Sequence, residues 1–453
     1  MICVVFVVFV SERGPWAIAT DDVQWPVNGG VDNIRYSTLT QIDKKNVSQL
    51  KVAWTYDSHD SFTGSEMQSN AIVVNGTLYI TTPTLKVVAL DAATGREIWK
   101  FDPSGGAAPG ARFRHRGVAV GHGRVFVTYR NWLYALDAGS GQPVKTFGTA
   151  GRVDLREGLG RPPERLSVSA STPGVIFEDL LIIGSTVPET LPSAPGDIRA
   201  YDVNTGQIRW SFHTIPHPGE FGYDTWPKDA WEITGGANAW AGVAVDQKNA
   251  MVFAATGSAS FDFYGANRAG DDLFADCVLA LDARTGRRVW HFQGLHHDLW
   301  DLDFPAAPNL VTVTRDGKAV EAVAQVTKTG FVFVFDRKTG APLFPIEERA
   351  IAASAIPGER ASPTEPFPVK PPRFTRSGPT EAMLTRRTSE AHAAVLDQFR
   401  KLKAGIFATP SFEGTIVFPG VDGGAEWGGA AFDPESALLY VNANEMPWIV
   451  RLI

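Results

Sequence analysis

The chain has 453 residues and a net charge of −7, and it contains 44 glycines and 30 prolines. It has no continuous basic segment, so the composition argues against a nucleic-acid-binding protein. The two cysteines, Cys3 and Cys277, are too few for a disulfide framework, and the lack of CxxC and CxxCH motifs excludes a covalently attached c-type haem.

Residues 1–19 resemble a secretory signal peptide. An apolar run at 2–10 is too short to span a bilayer, and the small-x-small sequence Ala-Ile-Ala follows it at 17–19. The basic segment that normally opens a signal peptide is missing, and the alternative is a disordered or buried N-terminal strand. We predict a partial signal peptide at 1–19 and a mature domain at 20–453. The expected location is periplasmic or exported, with peripheral attachment to the membrane as an option.

One short sequence recurs along the chain and predicts an all-β fold of repeated sheets. It reads ALDAATGREIW, ALDAGSGQPVK, AYDVNTGQIRW, ALDARTGRRVW and VFDRKTGAPLF, with a weaker sixth copy, AFDPESALLYV, at 431–441. In each of the first five, Asp caps a tight turn and Gly supplies a positive φ, and in most copies a terminal Trp or Phe is large enough to pack between sheets. Repeats of about 40–50 residues are typical of the four-stranded blades of a β-propeller.

The densest group of ionisable residues, HHDLWDLDFP at 296–305, directly follows the fourth copy. Three carboxylates this close are costly to ionise together unless a cation or solvent compensates them. A hard divalent cation would do so, and the alternative is a solvated turn. Lys328 lies at the start of the next apolar strand, where it either extends to the rim or reaches into a central site.

Residues 346–408 interrupt the repeats. The segment is Pro-rich at 362–374 and has a helical composition at 379–403. It carries too few apolar residues for a core of its own, so we predict a surface insertion. The β pattern returns at 415–418.

Together these sequences resemble the pyrroloquinoline-quinone (PQQ) dependent dehydrogenases from about residue 25 to the end, and most strongly the quinoprotein glucose dehydrogenase branch. The resemblance implies an eight-bladed β-propeller of four-stranded antiparallel blades. Because the chain stops soon after the sixth copy, we expect it to lack about one to two blades, and a six- or seven-bladed closure is the alternative.

The resemblance also implies a PQQ-binding site. Trp240, in GANAWAG, matches the aromatic floor under the quinone, and Arg116, in HRGV, matches the arginine that pairs with a cofactor carboxylate. Asn442 matches a cofactor-site asparagine, with Asn444 as an alternative in register. The full set of implied cofactor-binding residues is Glu66, Arg116, Ser171, Trp240, Lys328 and Asn442.

The implied metal ligands are Glu189, Ser258 and Asp301, and the implied ion is Ca²⁺ or another divalent cation. Asp301 matches the catalytic base and Lys328 the basic residue beside the quinone oxygens, with Asp298 as the alternative base. Ser258 stands where the family has an asparagine, and a neutral hydroxyl is a weaker ligand. Asp303 is the candidate to compensate as an extra carboxylate.

The implied reaction is hydride transfer from a CH–OH group to PQQ, with electrons passed to ubiquinone or a separate cytochrome c. Alcohol-oxidising relatives carry adjacent cysteines over the quinone, whereas this chain has Pro-Gly-Ala at 109–111. That difference favours a sugar or polyol, most of all an aldose of the glucose type. The alternatives are a non-catalytic scaffold β-propeller and a truncated, inactive quinoprotein.

Overall fold

The computed structural model describes the backbone of residues 3–7 and all atoms of residues 24–107 and 114–453. Residues 1–2 and 8–19 of the predicted signal peptide and the Pro-Gly-Ala stretch at 109–111 lie outside the described residues. Strand β1 (Cys3–Val7) pairs antiparallel with β2 (Val52–Asp57).

Four sheets have four antiparallel strands each, and each of them holds one of the first four repeat copies. Every strand pairs with the next one along the chain, which gives a simple up-and-down order. These strands are β3 (Ile72–Val74), β4 (Thr77–Thr81), β5 (Val87–Asp91), β6 (Glu97–Phe101), β7 (Ala119–Gly121), β8 (Arg124–Tyr129), β9 (Trp132–Asp137), β10 (Arg152–Asp154), β11 (Val175–Phe177), β12 (Leu180–Ile183), β13 (Ile198–Asp202), β14 (Ile208–Phe212), β15 (Val243–Asp246), β16 (Met251–Ala255), β17 (Cys277–Asp282) and β18 (Arg288–Gln293).

The rest of the chain forms smaller sheets. The fifth repeat lies in a three-stranded sheet, a hairpin follows it, and the last strands form a three-stranded sheet and a second hairpin. These strands are β19 (Asn309–Arg315), β20 (Lys318–Val326), β21 (Val332–Asp336), β22 (Ile346–Ala350), β23 (Thr364–Pro368), β24 (Lys403–Ala404), β25 (Thr415–Val417), β26 (Ala430–Asp433), β27 (Leu438–Val441) and β28 (Trp448–Val450).

Helices are few. Two α-helices occur among the described residues, α1 (Ala230–Ile233) and α2 (Ser389–Lys401), and α2 lies in the segment that interrupts the repeats. Within the described part of the chain, neither has the length and apolar character needed to cross a bilayer. The 3₁₀ turns are Val31–Asn33, Val47–Gln49, Pro163–Arg165, Tyr223–Thr225, Ala266–Arg268 and Glu381–Met383. The prediction of an all-β fold with four-stranded antiparallel sheets is confirmed.

The repeated Asp and Gly build the turn that joins the last two strands of a sheet. In the first copy Asp91 Oδ1 accepts hydrogen bonds from Thr94 N at 2.9 Å and Thr94 Oγ1 at 2.8 Å. Gly95 has φ +71°, and its N–H donates to Asp91 O at 2.8 Å. Because side chain and backbone close the same turn, the hairpin is specified locally by a few residues.

The repeated Trp joins each sheet to the next. Trp210 Nε1 on β14 donates to Ala283 O, 3.1 Å away in the following repeat, and Trp290 Nε1 donates to Arg337 O at 3.0 Å. The Trp210 ring lies against Gly286, where an added Cβ would be 2.5 Å from the ring. The repeat glycine therefore serves both its own turn and the Trp of the preceding sheet.

The first strand of each repeat sheet is the innermost. β3 contacts β7, β7 contacts β11, β11 contacts β15, and β15 contacts β19, which in turn contacts β26. The sheets therefore radiate from a common axis, as expected for repeats that share a core blade by blade. Loops that lead into the innermost strands meet near this axis.

Candidate active site

A cavity of ≈ 920 Å³ lies where the loops before the innermost strands converge. All the residues that the sequence analysis assigned to the site line this cavity, except Asn442. They are Glu66, Arg116, Ser171, Glu189, Trp240, Ser258, Asp301 and Lys328. Their convergence follows from topology, because they come from five successive sheets. Five of them precede the innermost strand of a sheet, and the other three, Glu189, Ser258 and Lys328, lie between the second and third strands.

Asn442 is exposed after β27 and lies outside the cavity lining. The alternative, Asn444, is half-buried, and its N–H donates to Gly424 O at 2.9 Å. Four residues line the cavity from this part of the chain, and the sequence analysis missed them. They are Val421, Asp422, Glu426 and Trp427. The signal for Glu426 and Trp427 was their glycine-rich surroundings, GGAEWGG at 423–429, which permit a close backbone approach.

Arg116 is a buried cation with an unpaired donor. Its Nη1 donates to Ser171 Oγ and Thr172 Oγ1, both at 2.9 Å, whereas its Nε is buried without a partner. Burial lowers the pKa of Arg116 to about 10, so the guanidinium still carries its charge at neutral pH. A buried guanidinium with a free donor is suited to binding a carboxylate.

Two indole rings flank this guanidinium. Arg116 Cζ lies 5.2 Å from the ring centroid of Trp240 and 4.7 Å from that of Trp427. Trp240 is held in orientation because its Nε1 donates to Asp303 Oδ2 at 2.9 Å and its carbonyl oxygen accepts from Thr172 Oγ1 at 2.8 Å. The cavity therefore has a fixed aromatic wall beside a positive charge.

Glu66 lies on the other side of the cavity mouth, where it is half-buried. Its Oε1 accepts from Arg114 Nε and from Gln68 Nε2, each at 3.2 Å. Arg130 also lines this side of the cavity. The mouth therefore combines cationic groups with hydrogen-bonding side chains.

Lys328 and Asp301 form a buried ion pair that also lines the cavity. Lys328 is 4% exposed, and its Nζ donates to Asp301 O at 2.9 Å and Asp301 Oδ2 at 3.2 Å. Although burial alone would lower the pKa of Lys328, the carboxylates of Asp303 and Asp301 raise it above its ordinary value. Burial raises the pKa of Asp301 well above the ordinary range. Asp301 has φ +56°, a conformation that is strained for a non-glycine residue and typical of functional sites.

Asp303 connects this wall to the aromatic floor. Its Oδ1 accepts from Ser258 N at 2.6 Å, its Oδ2 accepts from Trp240 Nε1, and Lys328 Nζ lies 3.4 Å away. Burial opposes its charge, but Lys328 and Ser258 outweigh burial and lower the pKa of Asp303. Gly257 is required beside it, because a Cβ there would lie 2.7 Å from Asp303 Oδ1.

Asp298, the alternative base, lies outside the cavity lining. Its Oδ1 accepts from Trp300 N at 2.7 Å and its Oδ2 from Leu302 N at 2.8 Å. These contacts shape the loop that presents Asp301. Of the two candidate bases, Asp301 rather than Asp298 therefore lines the cavity beside Lys328.

A second carboxylate that the sequence analysis missed, Asp262, also lines the cavity. Burial, followed by the charges of Glu189 and Asp303, raises its pKa to about 8. Its sequence context, SASFDFYG, contains no other acidic residue and so gives no signal of this cluster. Negative charge on this wall exceeds what Lys328 balances, and the oxygen donors suit a hard cation.

The segment that interrupts the repeats holds the loop of Asp301 in place. Glu359 Oε1 lies 2.9 Å from His297 Nε2, and His297 Nδ1 lies 2.8 Å from Gly270 O. Burial alone would lower the pKa of His297, but Asp272 and Glu359 raise it to about 9. The charged imidazole therefore joins the inserted segment to the loop.

Residues 25–453 match the family described as "PQQ: Glucose/ethanol/alcohol dehydrogenase, beta-propeller domain". The quinoprotein glucose dehydrogenase of Escherichia coli (strain K12) is 31% identical over 95% of the chain and 57% of its own length. The quinate/shikimate dehydrogenase (quinone) of Acinetobacter baylyi is 32% identical over 96% of the chain and 58% of its own length. The chain thus spans less than two thirds of the length of these curated relatives.

Among solved structures, the quinohemoprotein alcohol dehydrogenase ADHIIG of Pseudomonas putida HK5 superposes with a TM-score of 0.71. It is 27% identical, and the match covers 95% of the chain and 58% of that protein. The matched region includes both the radiating sheets and the cavity at their axis. The chain belongs to the β-propeller family of PQQ-dependent glucose, ethanol and alcohol dehydrogenases.

Proposed function

We propose that the protein oxidises a CH–OH group of a sugar, polyol or alcohol, with PQQ as the acceptor of hydride. The observation that carries this proposal is the Asp301–Lys328 pair, which faces the same cavity as Arg116 and Trp240. A general base beside a cation, opposite an anion-binding arginine and a flat indole, is the set of groups that this chemistry needs.

The cavity residues fit PQQ, a planar tricyclic quinone that carries carboxylates. The Trp240 ring offers a flat surface, and the buried, unpaired Nε of Arg116 is a donor for a cofactor carboxylate. When bound, PQQ supplies an electrophilic carbonyl that accepts two electrons. Glu66 and Ser171 line the same cavity as Arg116 and Trp240, and we assign them to cofactor binding.

The carboxylates that line the cavity fit a divalent cation such as Ca²⁺. Glu189 and Asp301 offer carboxylate oxygens, and burial together with the charges of Glu189 and Asp303 raises the pKa of Asp262 beside them. We assign Glu189, Ser258 and Asp301 as the ligands. A cation at this wall would act as a Lewis acid toward the quinone carbonyl.

The protein's own contribution to the reaction is to position and move a proton. Asp301 accepts the hydroxyl proton of the substrate, which for a well-placed base is worth about 10²–10⁴-fold in rate. Lys328 holds the Asp301 carboxylate, and its positive charge favours negative charge that develops nearby. Trp240 and the walls around it exclude water from the reacting atoms.

Glucose-type aldoses are the substrates that we favour, since the serine, threonine and arginine side chains of the lining suit a polyhydroxyl compound. We propose ubiquinone or a separate cytochrome c as the electron acceptor and the periplasm as the location. A scaffold propeller would need no such convergence of Arg116, Asp301 and Lys328 on one cavity.

The experiment is reconstitution of the purified protein with PQQ and Ca²⁺, followed by reduction of an artificial electron-acceptor dye across a panel of sugars, polyols and alcohols. Dye reduction should require both additions and fall at least 100-fold in Asp301→Asn. Asp316→Asn, an exposed turn residue outside the cavity, is the matched control and should keep full activity. Absence of PQQ binding by the folded protein would instead support a scaffold or an inactive quinoprotein.

A further inference from the structure

Three buried carboxylates form a cluster behind the cavity wall. One oxygen from each of Asp276, Asp298 and Asp303 lies within 4.8 Å of the others. Their side chains are almost fully enclosed, since the residues are 0%, 2% and 7% exposed. Asp303 also lines the cavity, whereas Asp276 and Asp298 do not.

Asp276 is the member of this cluster that lacks partners. Both of its carboxylate oxygens are buried without a hydrogen bond, although the backbone is fixed by Asp276 N to Gly257 O at 3.2 Å and Gly294 N to Asp276 O at 2.9 Å. Its φ of +50° is a strained conformation for an aspartate. A buried carboxylate without a donor is strongly unfavourable unless something else binds it.

The nearby cations are engaged elsewhere. Lys328 is shared between Asp301 and Asp303. Arg268, which is fully buried, pairs with the Asp272 carboxylate and donates to the Asp298 backbone oxygen rather than to its carboxylate. The cluster of Asp276, Asp298 and Asp303 therefore keeps an excess of negative charge.

We propose that Asp276, Asp298 and Asp303 bind a hard cation of about the size of Ca²⁺, at a second site behind the one assigned to Glu189 and Asp301. Ions of this kind bind oxygen at about 2.3–2.6 Å, so ligand oxygens on opposite sides lie about 5 Å apart. The separations within the cluster fall inside that span. The Ser258 hydroxyl contacts Asp298 Oδ2 and lies 2.9 Å from Asp303 Oδ1, so it borders the cluster on the side of the cavity.

Such an ion would fix the floor of the cavity. It would hold Asp303, whose Oδ2 accepts from Trp240 Nε1 and so orients the indole. Because Asp303 belongs to both the cluster and the cavity lining, the cavity provides the route by which the ion enters. The site needs no bound PQQ, and the inference goes beyond the proposed dehydrogenase reaction.

The test is Tb³⁺ luminescence excited through tryptophan, with metal-free protein and no PQQ. The Trp240 indole donates to Asp303 Oδ2 at 2.9 Å, so it lies close enough to sensitise an ion in the cluster. We expect two Tb³⁺ ions per chain, and we expect Asp276→Asn to lose one of them or to weaken it at least tenfold. Glu189→Gln should weaken only the other.

Asp197→Asn is the matched control, because Asp197 is a buried aspartate outside the cluster. Its Tb³⁺ stoichiometry should equal that of the wild type. Unchanged binding in Asp276→Asn would overturn the inference and leave a proton as the occupant of Asp276. If the wild type binds Tb³⁺ in a way that depends on Asp276 but reduces no dye after reconstitution with PQQ and Ca²⁺, the result counts against the proposed function alone.

A measurement on the wild type covers the case in which Asp276→Asn does not fold. Anomalous scattering from crystals soaked in Tb³⁺ should place an ion within about 2.5 Å of an Asp276 oxygen. Anomalous density beside Glu189 and Asp301, with none at Asp276, would overturn the inference.

Discussion

Lys328 is the buried cation that permits two aspartates to lie side by side on the cavity wall. Its Nζ is 3.2 Å from Asp301 Oδ2 and 3.4 Å from Asp303 Oδ2. Removal of one partner from a buried ion pair leaves an uncompensated charge and costs about 3–5 kcal/mol. Lys328 is therefore as important for stability as for the chemistry.

We expect Lys328→Met to lower the free energy of unfolding by about 3–5 kcal/mol, measured by urea denaturation. The double variant Lys328→Met/Asp301→Asn should recover part of that loss, since the unpaired carboxylate is neutralised. Lys338→Met is the control, because Lys338 is 61% exposed and forms a loose surface pair with Glu321 at 3.8 Å. Its effect on the free energy of unfolding should stay within about 0.5 kcal/mol. Equal effects of the two single variants would contradict the buried pair.

At this scale the sequence identified residues whose chemistry is evident from their neighbours. Asp301 and Lys328 stand in recognisable sequences and meet in the cavity. Asp276 and Asp262 gave no signal, because their partners come from distant segments. Asn442 lies in a recognisable sequence, yet the structure places it in solvent outside the cavity lining.

At the scale of elements, the repeat is a unit of contact between sheets as well as a turn. The first three tryptophans that close a repeat copy, Trp99, Trp210 and Trp290, each donate to a backbone oxygen in the next copy. The turn itself could be predicted from Asp, Thr and Gly because its hydrogen bonds are local. The acceptor of each indole could not, because it depends on how neighbouring sheets are spaced.

We expect Gly286→Ala to destabilise the protein more than Gly317→Ala. The two glycines have nearly the same φ, +70° and +72°, so an added side chain should cause nearly the same backbone strain at both positions. An added Cβ at Gly286 would lie 2.5 Å from the Trp210 ring, whereas at Gly317 it would meet no atom within 4 Å. Gly317→Ala should cost about 1 kcal/mol from strain alone, and Gly286→Ala about 1–3 kcal/mol more from overpacking.

Thermal unfolding of both variants measures this difference. Trp210→Phe in the Gly286→Ala background tests the cause, since a smaller ring should relieve part of the clash. If Gly286→Ala and Gly317→Ala had the same melting temperature, the contact between the Trp and the next repeat would not contribute to stability.

At the scale of the whole molecule, the cavity exists because successive sheets bring their loops to one axis. Arg116 precedes β7, Ser171 precedes β11, and Trp240 precedes β15. Repeat spacing in the sequence is sufficient to predict the radial fold and so the convergence of these loops. It does not predict that Glu359, from the inserted segment, binds His297, because that contact joins parts of the chain that share no repeat pattern.

A ligand that contacts several of these loops should stabilise the whole array. At 100 times its Kd, PQQ bound to the native state alone would add about 2.7 kcal/mol to the free energy of unfolding. For a domain of this size, whose unfolding entropy is about 2.1 cal/mol/K per residue, this corresponds to a rise in Tm of about 3 °C. We expect that rise when PQQ and Ca²⁺ are added together, measured by differential scanning calorimetry.

Arg116→Lys should reduce this rise by about half. Arg116 lies between Trp240 and Trp427 with an unpaired Nε, and a lysine can neither stack between the rings nor bind a carboxylate in bidentate fashion. A tenfold weaker Kd at the same PQQ concentration leaves about 1.4 kcal/mol of stabilisation. Arg209→Lys is the control, because Arg209 pairs with Asp179 and Asp202 on the surface and should keep the full shift. An undiminished shift in Arg116→Lys would place the cofactor's carboxylates elsewhere in the cavity.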